Sequence, residues 1–515
     1  METFDINNHF FFWLFNRKIK MKICLINPPN LYELVGNDPV IIKDQQGVYP
    51  PLGLLYTSAY INQQGRHHVD VVDSQAEEIN HSETAERVAK LKPDLIGLTT
   101  MTFTLVDCKL VIQELHKRLP GIPIVVGGPH TAIYPEESLN PKSLGADYVI
   151  VGEGEMTLNE FASDLAIGKV KNRIYRQTNF IKNLDELPFA DYDAVDINNY
   201  YSVLAEETPS VTMFSSRGCP FSCAYCDRPA LGKGFRPQGA KRVVDEMESL
   251  EKRGAKEIFF YDDTFSVSMK RVDQICDDYI KRGLKIKWDI RTRVNVVNEE
   301  LLKKMKKAGC ERIHFGVESG NPRIVRTMNK GVSIKQVEDA FDICKRIGIK
   351  TLAYFMMGNP GETLDDVKDT LRLSRRIKPD FMQMTILSPF PATKYYLDAM
   401  TAGVIKTDVW RDYANSINDD FRPPLWTQPG GIYSRQELES HLRWFYGKFY
   451  LHPKFILDRI MEIRNFGQFK RYASAGIGLL KMTLVPEGKL KDSWGLRNRT
   501  GVANSAKPEA AVAIH

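Results

Sequence analysis

Short apolar segments alternate with amphipathic segments along most of this chain, and this alternation restricts the fold more than any other feature. In the first third, the apolar segments Lys22–Asn27, Val69–Asp73 and Leu95–Thr100 are separated by loops and by segments with helical spacing of apolar residues. Strands that alternate with helices favour a parallel sheet with helices on both of its faces. The sequence therefore predicts a doubly wound α/β domain over residues 21–165.

A second series of alternating strands and helices begins at Ser210 and contains six strand–helix units. It predicts a second α/β domain over residues 206–400, for which a partial barrel fits the pattern as well as an open sheet does. The intervening polar residues 166–205 are predicted to form a linker. After the second domain we expect a helical region at 401–485 and a polar, disordered tail at 486–515.

Charge and hydropathy limit the classes of partner. The 515 residues include 70 basic and 64 acidic side chains, and a net charge of +6 does not call for a nucleic acid. The apolar run His9–Phe15 is too short to span a bilayer, and its positive charges follow it instead of preceding it. We therefore interpret residues 1–20 as an extension and not as a membrane anchor.

Three of the eight cysteines lie within eight positions, at Cys219, Cys223 and Cys226, while the other five are scattered. This spacing does not suggest a disulfide framework and favours a reducing cytosol and a set of metal ligands. Thiolates suit iron–sulfur clusters or zinc, but a structural zinc site needs four ligands and the next cysteine is Cys276. Three ligands on a four-iron cluster would leave one iron open, which is a catalytic feature.

The spacing C-x3-C-x2-C, with Tyr225 before the last cysteine, resembles the motif of radical S-adenosylmethionine (SAM) enzymes. The resemblance implies a [4Fe-4S] cluster whose open iron binds SAM, and reductive cleavage of SAM to methionine and a 5′-deoxyadenosyl radical. Segments 261–265, 316–320 and 357–363 resemble the family's segments at the SAM amino group, ribose and adenine. The implied SAM contacts are Phe221, Tyr225, Asp262, Asp263, Arg291, Arg293, Glu318, Ser319, Gly358 and Pro360.

Two of these contacts have specific expected partners in SAM. The resemblance implies that Glu318 accepts a hydrogen bond from a ribose hydroxyl. It also implies that Arg291 or Arg293, which follow the third strand of the second series, holds the SAM carboxylate.

The first domain has glycine-rich turns at the predicted carboxyl ends of its strands, where doubly wound sheets bind ligands. Its place before the second domain resembles the Rossmann-like cobalamin-binding domain of cobalamin-dependent radical SAM enzymes. The implied cobalamin contacts are Pro28, Pro51, Leu52, Gly53, Thr99, Thr100, Gly127, Gly128, Pro129, His130, Gly152, Glu153, Gly154 and Glu155. The Asp-x-His-x-x-Gly motif of histidine-ligated cobalamin domains is absent, so no histidine is assigned to cobalt and His130 is expected only to hydrogen-bond the cofactor.

The resemblance implies a cytoplasmic cobalamin-dependent radical SAM enzyme that methylates an unactivated carbon. An oxidative cyclase, similar to the anaerobic magnesium-protoporphyrin monomethyl ester cyclases, stays an alternative. A non-catalytic protein that senses cobalamin or redox state is the alternative of another class. Methylthiolation of tRNA is disfavoured, because the first 200 residues offer only Cys24 and Cys108 for a second cluster.

The expected partners are a small-molecule substrate, lipid-like or aromatic, and an electron donor of the flavodoxin or ferredoxin type. No nucleic acid is expected. The stretch Leu442–Leu457 mixes aromatic and basic residues and could face such a substrate or a membrane surface. Packing of this stretch as a helical cap on the core is the favoured interpretation, so membrane contact is not expected.

Overall fold

The computed structural model describes residues 20–32, 34, 47–177, 179–227, 232–427, 434–461 and 476–477. The extension predicted at residues 1–20 lies outside these ranges except for Lys20, and the tail predicted at 486–515 lies outside them entirely. In the ranges that are described, no helix is both long enough and apolar enough to cross a membrane.

The first sheet has six parallel strands in the order β2-β1-β3-β4-β5-β6. Its strands are β1 (Lys22–Asn27), β2 (His68–Asp73), β3 (Leu95–Thr99), β4 (Ile124–Gly127), β5 (Tyr148–Val151) and β6 (Ile174–Arg176). Its helices are α1 (Leu52–Gln64), α2 (His81–Leu91), α3 (Leu105–Arg118), α4 (Pro135–Ser138) and α5 (Gly154–Ala166). The strand order reverses at β1, so that helices cover both faces, and the predicted doubly wound fold is confirmed.

Alternate residues of β1 enter two different apolar cores. Ile23 and Leu25 pack in the core that includes α1 and α5, whereas Cys24 and Ile26 pack in the core that includes α2 and α3. Both faces of this sheet are therefore occupied by packing, and only its edges and strand ends are open to a ligand. The sixth strand, β6, lies inside the segment that the sequence predicts as a linker, because three residues are too few to show a strand pattern.

The second sheet also has six parallel strands, but each new strand adds on the same side, in the order β7-β10-β11-β12-β13-β14. Its strands are β7 (Ser210–Met213), β10 (Glu257–Phe260), β11 (Lys287–Thr292), β12 (Cys310–Glu318), β13 (Lys350–Met357) and β14 (Phe381–Ile386). A short antiparallel pair, β8 (Ser216–Arg217) and β9 (Arg236–Pro237), follows β7. With right-handed crossovers, this order leaves all the helices on one face, which is the arrangement of a partial barrel.

The helices between these strands are α6 (Ala240–Lys252), α7 (Met269–Arg282), α8 (Glu299–Lys307), α9 (Pro322–Thr327), α10 (Ile334–Ile347) and α11 (Leu364–Ile377). Capping boxes at Ser333 and Thr363 start α10 and α11. Along β14, Met382, Met384 and Ile386 enter the core under the helices. The residues between them point to the other face and are partly exposed, so the inner face of the sheet lines an open lumen.

The last described helices are α12 (Lys394–Thr401), α13 (Val409–Asn415), α14 (Arg435–Tyr450) and α15 (Pro453–Met461). The segment with α12 and α13 returns to the first domain, where Trp410 and Tyr413 join the core of α2 and α3. Helix α14 covers the edge strand β14: the Tyr446 hydroxyl lies 3.0 Å from the Met384 amide and the Tyr450 hydroxyl 2.9 Å from the Met382 amide. The favoured interpretation of this aromatic stretch as a helical cap is confirmed.

Candidate active site

The three cysteines of the motif lie on one loop, directly after β8, and differ in exposure. Cys219 is buried with its sulfur 3.4 Å from Thr264 Oγ1, Cys223 is half-buried, and Cys226 is exposed. Arg293 donates a hydrogen bond to the Cys223 sulfur over 3.2 Å. In the part of the chain that the structure describes, no three His, Cys, Asp or Glu side chains converge closely enough to hold a single metal ion.

Two separate segments hold this cluster loop, which we define as residues 218–227. The Ala224 amide donates to the Met328 carbonyl over 2.9 Å, and the Asn329 side chain donates to the Ser222 carbonyl over 2.8 Å. The Ala224 carbonyl accepts from the Tyr395 amide over 3.0 Å. Three thiols, which are soft donors, lie on a loop that these hydrogen bonds hold in place, and a guanidinium lies beside one sulfur. This donor set fits an iron–sulfur cluster with one open iron.

Asp262 supports the approach to the cluster loop and does not face into the site. One of its oxygens accepts from the Ser215 amide over 2.7 Å, and the other accepts from the hydroxyls of Ser215 and Ser216. Burial raises the pKa of Asp262, and the nearby Arg271 guanidinium opposes that rise. Of the acidic pair predicted to contact SAM, the structure exposes Asp263 and uses Asp262 to fix the residues before the cysteines.

Glu318 lies at the end of β12 beside a lysine that sequence reasoning missed. Its Oε1 accepts from Lys330 Nζ over 2.9 Å and from the Tyr225 hydroxyl over 3.0 Å. A Cβ at Gly316 would lie 2.5 Å from this oxygen and 3.0 Å from Lys330 Nζ, so a larger residue there would displace the ion pair. Lys330 is 4% exposed, but it follows a short helix in a turn, where the sequence pattern gives no sign of burial.

Of the remaining predicted SAM contacts, some lie at the cluster loop and others lie away from it. Arg293 stacks on the Phe221 ring at 4.0 Å and donates to the Lys330 carbonyl, so these residues meet at the cluster loop. Ser319 instead faces α11, with its hydroxyl 3.3 Å from the Thr370 hydroxyl. Arg291 lies two residues earlier, on β11, with its guanidinium carbon 4.0 Å from the centre of the Tyr261 ring.

The predicted adenine segment is organised by a buried carboxyl group. Glu362 accepts from the amides of Gly358 and Asn359 over 2.6 and 3.0 Å, which fixes the turn that contains Pro360. Burial raises the pKa of Glu362 to about 7. Its second oxygen, the Asn359 side-chain oxygen and the Tyr395 hydroxyl are buried without hydrogen-bond partners, and such groups mark a place where a polar ligand is accommodated.

The carboxyl edge of the first sheet is shaped by backbone. Gly128 has φ +116°, and a Cβ there would lie 2.7 Å from the Thr100 carbonyl oxygen. Gly53 and Pro129 are exposed, and no atom lies within 4 Å of a Cβ built on Gly53. Of the other predicted contacts, Thr99, Pro51 and Gly127 are partly exposed, whereas Pro28, Leu52 and Thr100 are buried. This open, glycine-lined edge fits a large flat ligand such as cobalamin.

His130 lies under this edge and is 1% exposed. Its Nδ1 is 3.1 Å from the Thr102 hydroxyl, while Nε2 has no hydrogen-bond partner. Burial lowers the pKa of His130 to about 4, so the ring is neutral at pH 7. An orphaned ring nitrogen is consistent with the expected hydrogen bond to a ligand at this edge.

Glu153 and Glu155, which the sequence predicts as cobalamin contacts, form ion pairs with two arginines of the second domain. Arg217, which precedes the cluster loop, donates to Glu153 over 2.9 Å and to Glu155 over 2.5 Å. Arg236 donates to Glu153 over 2.8 Å. We call these four residues the interdomain clamp. The glycines beside them serve packing: a Cβ at Gly154 would lie 2.8 Å from the Thr57 hydroxyl, and one at Gly152 would meet Gln177.

The clamp is buried, with side-chain exposures of 1% for Glu153, 4% for Glu155 and 7% for Arg217. Burial alone would raise the pKa of Glu153, but the guanidinium groups of Arg236 and Arg217 outweigh it and lower the pKa. Sequence reasoning found these carboxylates but not their partners, because 62 positions or more separate each glutamate from its arginine.

Two family models match the chain in succession. The B12 binding domain model matches residues 39–162, and the Radical SAM superfamily model matches residues 213–374. The first match contains the glycine-lined edge of the first sheet. The second contains the cluster loop and every residue predicted to contact SAM.

The chain is also similar to individual proteins, two in sequence and one in fold. An uncharacterized methyltransferase of Pyrococcus horikoshii is 32% identical over 87% of this chain and 96% of its own length. The anaerobic magnesium-protoporphyrin IX monomethyl ester cyclase of Rubrivivax gelatinosus is 25% identical over 84% of this chain and 80% of its own. The structure of the cobalamin-dependent SAM radical enzyme OxsB with aqua-cobalamin bound has the same fold, with a TM-score of 0.70, 15% identity, and coverage of 92% of this chain and 73% of that one.

Proposed function

The chain belongs to the cobalamin-binding radical SAM family, and from this premise we propose that it transfers a methyl group to an unactivated carbon of a small molecule. Its cofactors are a [4Fe-4S] cluster, SAM and cobalamin. When bound, they supply a 5′-deoxyadenosyl radical that abstracts a hydrogen atom and a methyl group that replaces it. The chain's own residues bind, orient and shield the reactants.

The observation that carries this proposal is the interdomain clamp. Arg217 is two residues before Cys219, and its partners Glu153 and Glu155 follow β5 of the first sheet. A buried, multiply bonded ion pair fixes geometry, because loss of one partner leaves an unpaired buried charge. The clamp therefore holds the cluster loop at a set position relative to the cobalamin edge, which a methyl transfer that uses both cofactors requires.

We assign the SAM-binding role to the residues that gather around the cluster loop. Cys219, Cys223 and Cys226 would hold the cluster. Arg293 and Lys330 are the cations near it that could receive the SAM carboxylate, and Lys330 holds Glu318 in place. The unpaired oxygens of Asn359 and Glu362 support a polar ligand at the adenine segment.

We assign the cobalamin-binding role to the edge formed by Gly53, Thr99, Gly127, Gly128 and Pro129. These residues are at least partly exposed, and the backbone at Gly128 leaves no space for a side chain. His130 would hydrogen-bond the cofactor through Nε2. Glu153 and Glu155 act in the clamp and are not proposed as cobalamin contacts.

Anaerobic turnover tests the proposal. The full chain, reconstituted with iron and sulfide, is given SAM, a chemical reductant and cobalamin, and the products are read by mass. We expect 5′-deoxyadenosine, and S-adenosylhomocysteine only when cobalamin is present. Cys219→Ala should lose both products, whereas Cys276→Ala, a buried thiol on α7, should retain them. Absence of both products from the parent protein would contradict the proposal.

Oxidative cyclisation is the second candidate, because the cyclase of Rubrivivax gelatinosus is similar over 84% of this chain. The same experiment separates the two reactions. Formation of 5′-deoxyadenosine without cobalamin-dependent S-adenosylhomocysteine would favour cyclisation.

An electron donor of the flavodoxin or ferredoxin type is proposed as partner. Cys226 is exposed at the end of the cluster loop, so a donor could approach a cluster bound there. No cysteine in the described ranges forms a disulfide, which suits the reducing cytosol that we propose as its location.

A further inference from the structure

The inner face of the second sheet carries polar and aromatic side chains that the assignments above do not use. We call them the lumen group: Tyr49, Tyr261, Arg291, His314, Tyr354 and Gln383. Strand register sets Arg291 beside His314 on β11 and β12, and Tyr354 beside Gln383 on β13 and β14. Tyr49 comes from the first domain and lies against Tyr261, with 5.7 Å between ring centroids.

The acidic side chains of the lumen already have partners. Glu257 lies 2.6 Å from Arg312, and Asp289 lies 3.6 Å from Arg312 and 3.1 Å from His314 Nε2. Burial lowers the pKa of His314, so its ring is neutral and uses its second nitrogen to bond the Tyr354 hydroxyl over 3.0 Å. The carboxylates of the lumen are thus bound to groups other than Arg291.

Arg291 is a cation flanked by aromatic rings and phenol groups. Its guanidinium lies over the Tyr261 ring and interacts with the Tyr261 and Tyr354 hydroxyls, while among the described residues the lumen carboxylates Glu257 and Asp289 pair with other groups. A guanidinium presents five donors in a planar fork, and a cation stacked on a ring keeps most of those donors available. Its charge would be satisfied best by an anion that enters the lumen.

The lumen group is partly exposed, and two of its members are close along the chain to residues assigned to the cofactors. Five members are each partly exposed, namely Tyr49, Tyr261, Arg291, Tyr354 and Gln383. Those on the second sheet lie on the face opposite its helices. Arg291 lies two residues, or about 7 Å along a strand, before Arg293 at the cluster loop. Tyr49 lies four residues before Gly53 at the cobalamin edge. A molecule in the lumen would therefore be next to both.

We propose that the lumen group is the substrate site, that Arg291 holds a carboxylate of the substrate, and that the Tyr49, Tyr261 and Tyr354 rings pack on a flat apolar body. Guanidinium and carboxylate groups match in two parallel hydrogen bonds, and aromatic walls favour a planar partner. The proposal rests on the proposed function, since it takes the lumen as the reaction chamber. The proposal also gives the two arginines different ligands. Arg291 would bind the substrate carboxylate, and the SAM carboxylate would bind at the cluster loop, where Arg293 lies.

Binding of a matched pair of fluorescent probes tests this site. The probes are 2-naphthylacetate and 2-(2-naphthyl)ethanol, which share the ring and differ in the carboxylate, and binding to the cluster-reconstituted full chain is measured without SAM. We expect Arg291→Gln to weaken naphthylacetate binding at least about tenfold and to leave naphthylethanol binding unchanged. Arg291→Lys should recover part of the loss, and Arg376→Gln, an exposed arginine, should behave as the parent.

Equal binding of both probes by the parent protein, or unchanged naphthylacetate binding by Arg291→Gln, would overturn the proposal. An equal loss of both probes in Arg291→Gln would also overturn it, since Arg291 would then not distinguish the carboxylate from the alcohol. The assay needs no SAM cleavage, so its outcome is independent of turnover. Methyl transfer without carboxylate selectivity would reject the substrate site alone, and carboxylate selectivity without turnover would reject the proposed function alone.

Discussion

The two sheets of this protein have the same number of strands and the same parallel pairing, but they offer ligands different surfaces. The first sheet packs apolar side chains on both faces, so that a ligand meets only its carboxyl edge, where backbone and glycines dominate. The second sheet packs one face against helices. Its other face carries the polar side chains of Glu257, Asp289, Arg312 and His314. Strand order alone produces this difference, because reversal at β1 places helices on both sides and steady progression places them on one.

The difference indicates a division of labour. An edge made of backbone suits a large rigid cofactor that brings its own reactivity, since it needs space more than specific side chains. A polar inner face can carry a specific set of charges and rings for a substrate and for SAM. The interdomain clamp joins the two surfaces, and it is the part of the molecule whose failure should matter most to the folded structure.

The largest effect on stability is expected from the clamp. Glu153→Gln removes a charge bonded to both Arg217 and Arg236 in a buried setting, and should lower the free energy of unfolding by about 3 kcal/mol in urea denaturation. Glu136→Gln is the matched control, because that carboxylate forms an exposed pair with Arg176 over 2.7 Å and should change stability by less than about 1 kcal/mol. Equal losses in both variants would show that the clamp is an ordinary surface pair.

A smaller, pH-dependent effect is expected in the second domain. The pKa of Glu362 is about 7 in the folded protein against an ordinary value of 4.5. Between these values the folded protein keeps a proton that the unfolded chain loses, so this group lowers the free energy of unfolding as pH rises through the window. We expect the parent to lose about 2–3 kcal/mol relative to Glu362→Gln between pH 5 and pH 8.

Urea denaturation of the protein without cofactors at both pH values measures this difference. Glu338→Gln, an exposed carboxylate paired with Arg376 over 2.8 Å, serves as control and should follow the parent at both pH values. A Glu362→Gln variant that also follows the parent would mean that Glu362 ionises normally in the folded protein.

The smallest effect concerns Gly128. It distinguishes the steric clash of a new Cβ from the strain of a side chain at positive φ. Gly128→Ala should weaken cobalamin binding about tenfold, measured by absorbance after gel filtration, because the new Cβ would force apart the turn at Thr100. Gly121→Ala has a similar φ of +85° but no atom within 4 Å of the new Cβ, so it carries the strain without the clash. If both variants bind cobalamin alike, the close approach at Gly128 is not what shapes the edge.

The sequence was informative wherever a local pattern encodes the result. Alternation predicted both α/β domains, and the spacing of Cys219, Cys223 and Cys226 predicted a shared loop. It gave no sign of contacts that depend on distant partners: Glu153 pairs with arginines 64 and 83 positions away, and no local pattern predicts those pairs. Lys330 gave no signal, because a lysine in a turn is ordinarily exposed and its burial follows from Glu318 on another element.

The central claim is that the clamp brings the cobalamin edge and the cluster loop to one lumen, and magnetic resonance tests it most directly. Protein that contains both a reduced [4Fe-4S] cluster and cob(II)alamin holds two paramagnets, whose spectra broaden and split when the two are close. We expect the spectrum of the doubly loaded protein to differ from the sum of the singly loaded spectra. A spectrum equal to that sum would place the two cofactors apart and contradict the account.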